Sequence, residues 1–253
     1  MMRSLVLSVM SVATGCLHAD PTASGGAQAE RNNGACASHL AAGELESAEL
    51  FCDHAIEFAP QWGDPWANKG LIELRRNQRS LAKEDFIKAI RFDPDHAQAL
   101  NNLGTLYLQE KDFRAAQRMF ERALKVNPDY AEARNNLALS FFQQEDWVNA
   151  RRQYKMMTEI HPQLAEPHHD LGVVALRTGQ LDEAIVEMAR ATQLDPRFTT
   201  AWLDLGAALD QAGRFREARD AFVSCLDANS GEERCRTNLQ VVNGKLGVTE
   251  PQR

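Results

Sequence analysis

The chain has 253 residues, 44% hydrophobic and 25% charged, a composition that fits a soluble, elongated protein. Its formal net charge of −7 gives no support to nucleic-acid binding, which expects a basic face, and argues against an anionic lipid surface as an electrostatic partner. Fifteen glycines and nine prolines are ordinary numbers, so most of the chain should be ordered.

The N-terminus reads as a targeting segment rather than as part of the fold. Arg3 supplies a positive start and Leu5 to Val12 a short apolar core, too short to span a bilayer, which takes about 20 helical residues. The segment closes on Ala13-Thr14-Gly15-Cys16, which resembles a bacterial lipobox with Ala13 in place of the usual leucine. The resemblance implies a signal peptide over 1–15 and lipidation of Cys16, palmitate included; the alternative is an ordinary secretory signal. Leu17, rather than Asp, after the cysteine is compatible with sorting to the outer membrane. One acyl chain binds marginally, but the diacyl or triacyl anchor of this class would hold firmly. The stretch 16–28, with LHADPTASGGAQ after the cysteine, reads as a flexible tether without apolar period. Twelve such residues span about 20 Å as a coil and about 40 Å extended.

From residue 29 a 34-residue period takes over. The clearest copy is 97–130, with Leu100, Leu103, Gly104, Tyr107, Ala116, Phe120, Ala123 and Pro128 at positions 4, 7, 8, 11, 20, 24, 27 and 32. The copy at 131–164 places Arg134, Leu137, Ala138, Phe141, Ala150, Tyr154, Met157 and Pro162 there. Small residues at 8, 20 and 27 let two helices approach, and larger apolar ones fill the gaps around them. Pro60, Pro94, Pro128, Pro162 and Pro196 fall in phase, each stopping a second helix. This pattern resembles the tetratricopeptide repeat, two antiparallel helices (A and B) per unit. The resemblance implies an all-α, right-handed superhelical solenoid of about six repeats: 29–62, 63–96, 97–130, 131–164, 165–198 and 199–232. The first is degenerate. In the second, Lys69 and Glu73 stand at positions 7 and 11, where apolar residues are expected, which leaves its helix A register open. The sixth lacks the proline. Residues 233–246 read as a capping helix and 247–253 as a frayed tail.

Apart from Cys16, four cysteines remain, and an even count in an exported protein suggests two disulfides. Repeat geometry favours Cys36–Cys52, which face each other across one helix pair at positions 8 and 24. It leaves Cys225–Cys235 to span the turn that lacks its proline. No CxxC or histidine spacing supports a metal, and no cofactor is expected.

The residues offer little for catalysis. Glu166, His168, His169 and Asp170 form a dense polar cluster, yet sequence neighbours do not share a helix face and cannot easily chelate one ion. There is no GxSxG elbow, phosphate-binding glycine loop or HExxH. Arg75-Arg76, Arg151-Arg152 and Arg214-Arg216 sit beside acids and read as solvated turns and outer faces. The expectation is a protein-binding scaffold, not an enzyme, without a small-molecule substrate.

In the tetratricopeptide family the concave wall is built from helix A positions 2, 5, 9 and 12. Carried onto this chain, these give Asp64, Ala67, Leu71 and Leu74; Gln98, Asn101, Thr105 and Leu108; and Glu132, Asn135, Leu139 and Phe142. Later repeats add Glu166, His169, Val173 and Leu176, then Thr200, Leu203, Ala207 and Asp210. Positions 9 and 12 read as an apolar stripe edged by acids and amides, large enough to imply a partner. An extended or amphipathic segment would fit it, unless the capping helix or the tether covers it. The lysines of the family's carboxylate-clamp members are missing.

A lipobox, a tether and six repeats together resemble the pilotin lipoproteins of type IV pili, the Tgl and PilF/PilW kind. That resemblance implies a lipid-anchored protein on the periplasmic face of the outer membrane that binds secretin subunits and promotes their localisation and assembly. A periplasmic adaptor for cell-wall hydrolases or another envelope complex would share the design.

Overall fold

The computed structural model describes residues 25–248, and the signal segment, Cys16 and most of the tether lie outside them. The described residues form thirteen α-helices and no strand. They are α1 (Gly25–Ala42), α2 (Leu45–Phe58), α3 (Gly63–Arg75), α4 (Arg79–Phe92), α5 (Ala97–Gln109), α6 (Phe113–Val126) and α7 (Ala131–Gln143). There follow α8 (Trp147–Ile160), α9 (Ala165–Arg177), α10 (Leu181–Leu194), α11 (Thr199–Gln211), α12 (Phe215–Ala228) and α13 (Glu233–Leu246). From α3 onward, odd-numbered helices start 34 residues apart, at 63, 97, 131, 165, 199 and 233.

Each A–B turn is made the same way. Its fifteenth repeat residue adopts positive φ: Gly43, Asn77, Lys111, Glu145, Gly179 and Gly213. The left-handed residue ends helix A, and the chain turns straight into helix B. Asp112 and Asp146 then accept hydrogen bonds from the backbone N–H groups of Ala115 (3.0 Å) and Asn149 (3.1 Å), capping α6 and α8. Helix B ends on an extended residue, because the proline that follows in most repeats disfavours a helical conformation before it. Asn229 takes that conformation without a proline (φ −150°, ψ 97°). Its Oδ1 accepts from Gly231 N–H at 3.1 Å, as Asp93, Asn127 and Asp195 do two residues ahead of themselves. This side-chain turn supplies the stop that Ser230 cannot.

The close approach at positions 8 and 24 explains the small-residue pattern. A Cβ on Gly70 would lie 2.7 Å from the Phe86 ring, on Gly104 2.6 Å from Phe120, and on Gly206 2.5 Å from Phe222. The Gly70–Phe86 contact also fixes the register of α3, despite Lys69 and Glu73. Cys36 and Cys52 are disulfide-bonded in this same slot, with Cα atoms 5.2 Å apart, so a covalent link stands where other repeats put a ring. Cys225 and Cys235 are bonded across 6.2 Å between Cα atoms. They occupy positions 27 and 3 of successive helix pairs, where Ala123 with Ala133 and Ala191 with Ala201 are buried elsewhere.

Two expectations at the ends are corrected. α1 begins at Gly25, so residues 25–28 belong to a helix rather than to the tether: Gly26 and Ala29 are buried, and their small size lets the first turn pack. At the other end, Gly247 is a left-handed cap (φ 67°) and Val248 N–H bonds Asn243 O at 2.9 Å, so these two residues close α13 rather than fray. Residues 249–253 lie outside the described range.

The chain divides into two compact units, Met1–Ala133 and Arg134–Arg253, with the division inside α7. In the first, Cys36, Leu40, Cys52, Leu71, Ile72, Phe86, Leu103 and Leu106 share one core. In the second, one core joins Val173, Met188, Leu203, Leu205, Phe222 and Val242, and another joins Ala138, Tyr154, Met157 and Leu171. Among the described residues no helix is long and apolar enough to cross a membrane.

Candidate protein-binding surfaces

The wall positions on helix A do not form the open apolar stripe that the sequence suggests. In the first unit, Leu71 (6% exposed) and Leu108 (7%) are buried, as is Asn101. Leu71 shares the core of Leu40, Ile72, Leu103 and Leu106, and Leu74 packs against that core while staying partly exposed. Thr105 turns back to bond Asn101 O of its own helix at 3.0 Å. In the second unit, Val173 and Leu203 are buried, and Phe142 and Leu176 pack against the same core. Phe142 also meets the edge of Trp147, ring centroids 5.1 Å apart. Leu139 and Asn135 are half-buried. The physical reason is mutual cover: much of what one A helix turns toward the wall, its neighbours take into the core. What remains at the surface is mainly polar, with Glu166, Thr200 and the small Ala207 exposed.

Some of the polar wall residues are engaged within the protein, His169, Asp210 and Glu132 among them. His169 is 6% exposed, and its Nε2 lies 2.9 Å from Asp204 Oδ2 of α11. Its Nδ1 lies 3.4 Å from Asp170 Oδ1, and its ring tilts against Phe198 at 5.0 Å. Burial opposes a charge on this imidazole, but hydrogen bonds and charge from Asp170 and Asp204 outweigh it and raise the pKa to about 9. His168 leaves the other way, Nδ1 2.7 Å from Glu187 Oε2 of α10. The two histidines therefore serve different helices. Among the described residues no group of three or more His, Cys, Asp or Glu is placed to hold a metal ion. Tyr130 donates to Glu132 Oε2 at 3.4 Å, and burial raises the pKa of both groups.

These contacts follow a rule that composition and period leave hidden. Asn68 bonds Asn33 at 2.9 Å, Arg75 bonds Leu40 O, His169 bonds Asp204, and Lys245 bonds both Asp210 oxygens at 2.6 and 2.7 Å. Each pair is 35 residues apart, linking position 5 to the next position 6, or position 12 to the next position 13. Looking for complementary side chains one repeat plus one apart would have found three of them; Arg75 meets a backbone carbonyl, which no residue pairing signals.

Sequence reading also missed an open cleft of about 320 Å3 on the helix B side of the second unit. Trp202, Leu205 and Leu209 of α11 line it with Ile185 and Ala189 of α10, and with Glu217, Asp220, Ala221 and Ser224 of α12. The small Ala189, Ala221 and Ser224 are the residues that leave it unfilled. Two of the arginine clusters are more engaged than solvated turns, since Arg151 holds both Glu183 oxygens at 2.7 and 2.8 Å and Arg76 bonds Glu49, whereas Arg214 and Arg216 stay exposed at their turn.

Family models described as tetratricopeptide repeat match residues 64–96, 86–118, 104–165 and 175–236. The chain is a tetratricopeptide-repeat protein. No catalytic family is indicated. Among solved structures, this repeat protein is similar to PilF of Pseudomonas aeruginosa, with a TM-score of 0.72 and 16% identity over 87% of this chain and 98% of that one. PilW, described as a widely conserved type IV pilus biogenesis factor, aligns at 0.70 and 19% identity over 83% and 98%. YrrB, a repeat protein described as having an unusual peptide-binding site, aligns at 0.62 and 21% over 75% and 97%. At such identities the likeness is one of fold. Comparison with curated proteins gives no match.

Proposed function

We propose that this repeat protein is a pilotin: a lipid-anchored scaffold on the periplasmic face of the outer membrane that binds secretin subunits of a type IV pilus and promotes their assembly. The observation that carries the reading is the fold likeness to PilF and PilW, which takes in more than four fifths of this chain and nearly all of each of theirs. The lipobox-like Ala13 to Cys16 supports the anchor, and the paired cysteines support an oxidising compartment. The mechanism is physical rather than catalytic. A lipid on Cys16 holds the repeats at the membrane and raises the effective concentration of a captured secretin segment there. The helix A wall, with acids and amides over a buried apolar floor, grips that segment chiefly through hydrogen bonds and small contacts, not through deep apolar sockets.

Deleting the gene and assaying heat-resistant secretin multimers tests the role. Multimers lost while secretin monomer persists are expected; normal multimers and pili would refute the pilotin reading and turn attention to cell-wall hydrolases. Cys16→Ala should release the protein from membranes. Ala207→Arg, at an exposed wall position, should weaken secretin binding about tenfold, a loss of about 1.4 kcal/mol.

A further inference from the structure

Helix A position 4 is met, in pair after pair, by helix B positions 23 or 26. In α3–α4, Lys88 Nζ sits 4.3 Å from the Trp66 ring centroid and is held by the buried Asp85 at 2.9 Å. In α5–α6, Leu100 lies in a core against which Met119 packs, and Arg122 reaches back to Pro94 O at 2.9 Å. In α7–α8, Arg134 bonds Gln153 Oε1 at 3.4 Å and meets Met156 Sδ at 3.7 Å. In α9–α10, His168 Nδ1 lies 2.7 Å from Glu187 Oε2. Each of these pairs fills the slot with its own long side chains.

The pair α11–α12 does not. Trp202 stands at position 4 and repeats the anchor of Trp66: its Nε1 donates to Pro196 O at 3.0 Å, as Trp66 donates to Pro60 O at 3.1 Å. Positions 23 and 26 are Ala221 and Ser224, too short to cover the ring, and Ser224 Oγ turns back to Asp220 O at 3.0 Å. The open cleft of about 320 Å3 lies here, walled by Trp202, Ala221 and Ser224. Its floor is apolar, since Leu205 and Leu209 stand where α3 has Lys69 and Glu73, and Ile185 where α2 has Glu49. Its rim is acidic. Glu217 and Asp220 line it, both exposed, with Arg214 2.5 Å from Glu217 and Asp182 close enough to act on that guanidinium. Asp220 pairs with Arg219 at 3.0 Å. Three carboxylates thus face two guanidiniums, and such exposed pairs are weak enough for a carboxylate to accept from another cation as well.

We propose that this cleft takes a lysine side chain from a partner polypeptide, which does for Trp202 what Lys88 does for Trp66. The aliphatic stem lies along Ile185, Leu205 and Leu209, and the ammonium rests on the indole face. Glu217 and Asp220 accept its hydrogen bonds at the rim. The volume sits at the lower end of ligand clefts, about 300–1,000 Å3, which suits one long side chain. The proposal does not rest on the pilotin reading, and its failure would leave the secretin role as it stands.

The test uses the full chain, disulfides intact, with 5-fluorotryptophan in place of tryptophan; Trp202→Phe assigns the Trp202 fluorine resonance. The probe is the peptide acetyl-Ala-Lys-Ala-amide, with norleucine in place of lysine as the neutral control. The lysine peptide should shift the Trp202 signal saturably, with an affinity about tenfold above that of the norleucine peptide. Equal shifts from both would make the cleft a general apolar one and overturn the proposal, as would a Trp202 signal that neither peptide moves. Ser224→Lys, which rebuilds the arrangement of Lys88, should block the lysine peptide, and undiminished binding would count equally against the idea. Should circular dichroism show that variant misfolded, Glu217→Gln with Asp220→Asn, both at exposed positions, decides instead. It should erase the preference for lysine over norleucine; a preference retained would refute the role given to the rim and with it the proposal.

Discussion

Two helix-interior glycines in the first unit should respond to the same substitution with opposite signs. Gly34 of α1 is exposed, and a Cβ there would meet nothing within 4 Å. Gly34→Ala therefore collects only the helix benefit of losing glycine's backbone freedom, about 0.5–1 kcal/mol of stabilisation. Gly104 of α5 offers the same benefit, but its new Cβ would lie 2.6 Å from Phe120 Cε1 and 2.8 Å from Cδ1. Phe120 is wholly buried, so its ring has no open space to swing into. Overpacking a filled core costs about 1–3 kcal/mol, which exceeds the helix benefit and leaves Gly104→Ala destabilised by about 0.5–2 kcal/mol. Urea denaturation followed by far-ultraviolet circular dichroism reads both variants. Equal stabilisation in both would refute the argument that ring contact, rather than helix propensity, keeps glycine at repeat position 8. Ala138 already stands at that position opposite Tyr154 in the second unit, so the fold admits alanine where the ring has been placed to suit it.

Reducing Cys36–Cys52, which closes a loop 16 residues apart in sequence, should cost the first unit about 3 kcal/mol in the chain-entropy account; a urea midpoint unchanged by reductant would leave that bond without a stabilising role. Lys111 holds φ 61° where three other A–B turns in this chain have glycine, at φ 75°, 76° and 80°. Lys111→Gly removes a left-handed penalty of about 1–2 kcal/mol and adds glycine's entropy cost of about 0.5–1, for a net gain of about 0.5–1 kcal/mol in the same denaturation assay. His169 has its folded pKa raised from 6.5 to about 9, so its pairing with Asp204 and Asp170 stabilises fully below the unfolded value and is lost as pH rises through about 9. That shift corresponds to about 3 kcal/mol. Melting curves of wild type should fall across this window, and His169→Gln should flatten the fall; parallel pH profiles would contradict it.

The helix-pair architecture is legible from sequence because it depends on contacts inside one repeat. Glycine at 104 with phenylalanine at 120, or proline at 128 after a helix, states its own reason within one period. What the period hides is whatever depends on the adjacent repeat. Lys69 looks like a misplaced polar residue until Asp53 of the preceding pair is set beside it. Leu71 and Val173 look like an exposed stripe on a helical wheel, yet both belong to cores shared with neighbouring A helices. The pairs 35 residues apart make the point most directly. His169 occupies a position from which the family wall reaches a ligand, but here it is held by Asp204, one repeat and one residue on. A ligand competing for that imidazole would have to break a buried, charge-assisted hydrogen bond, worth more than an ordinary one. The wall residues that stay exposed without such a contact at their position, Ala207 and Thr200 among them, are accordingly the ones where a substitution tests binding without first testing the fold. Leu139 and Phe142 look better on the sequence, but Phe142 is part of the packing around Trp147 and Val173, and a charge there would report on stability instead.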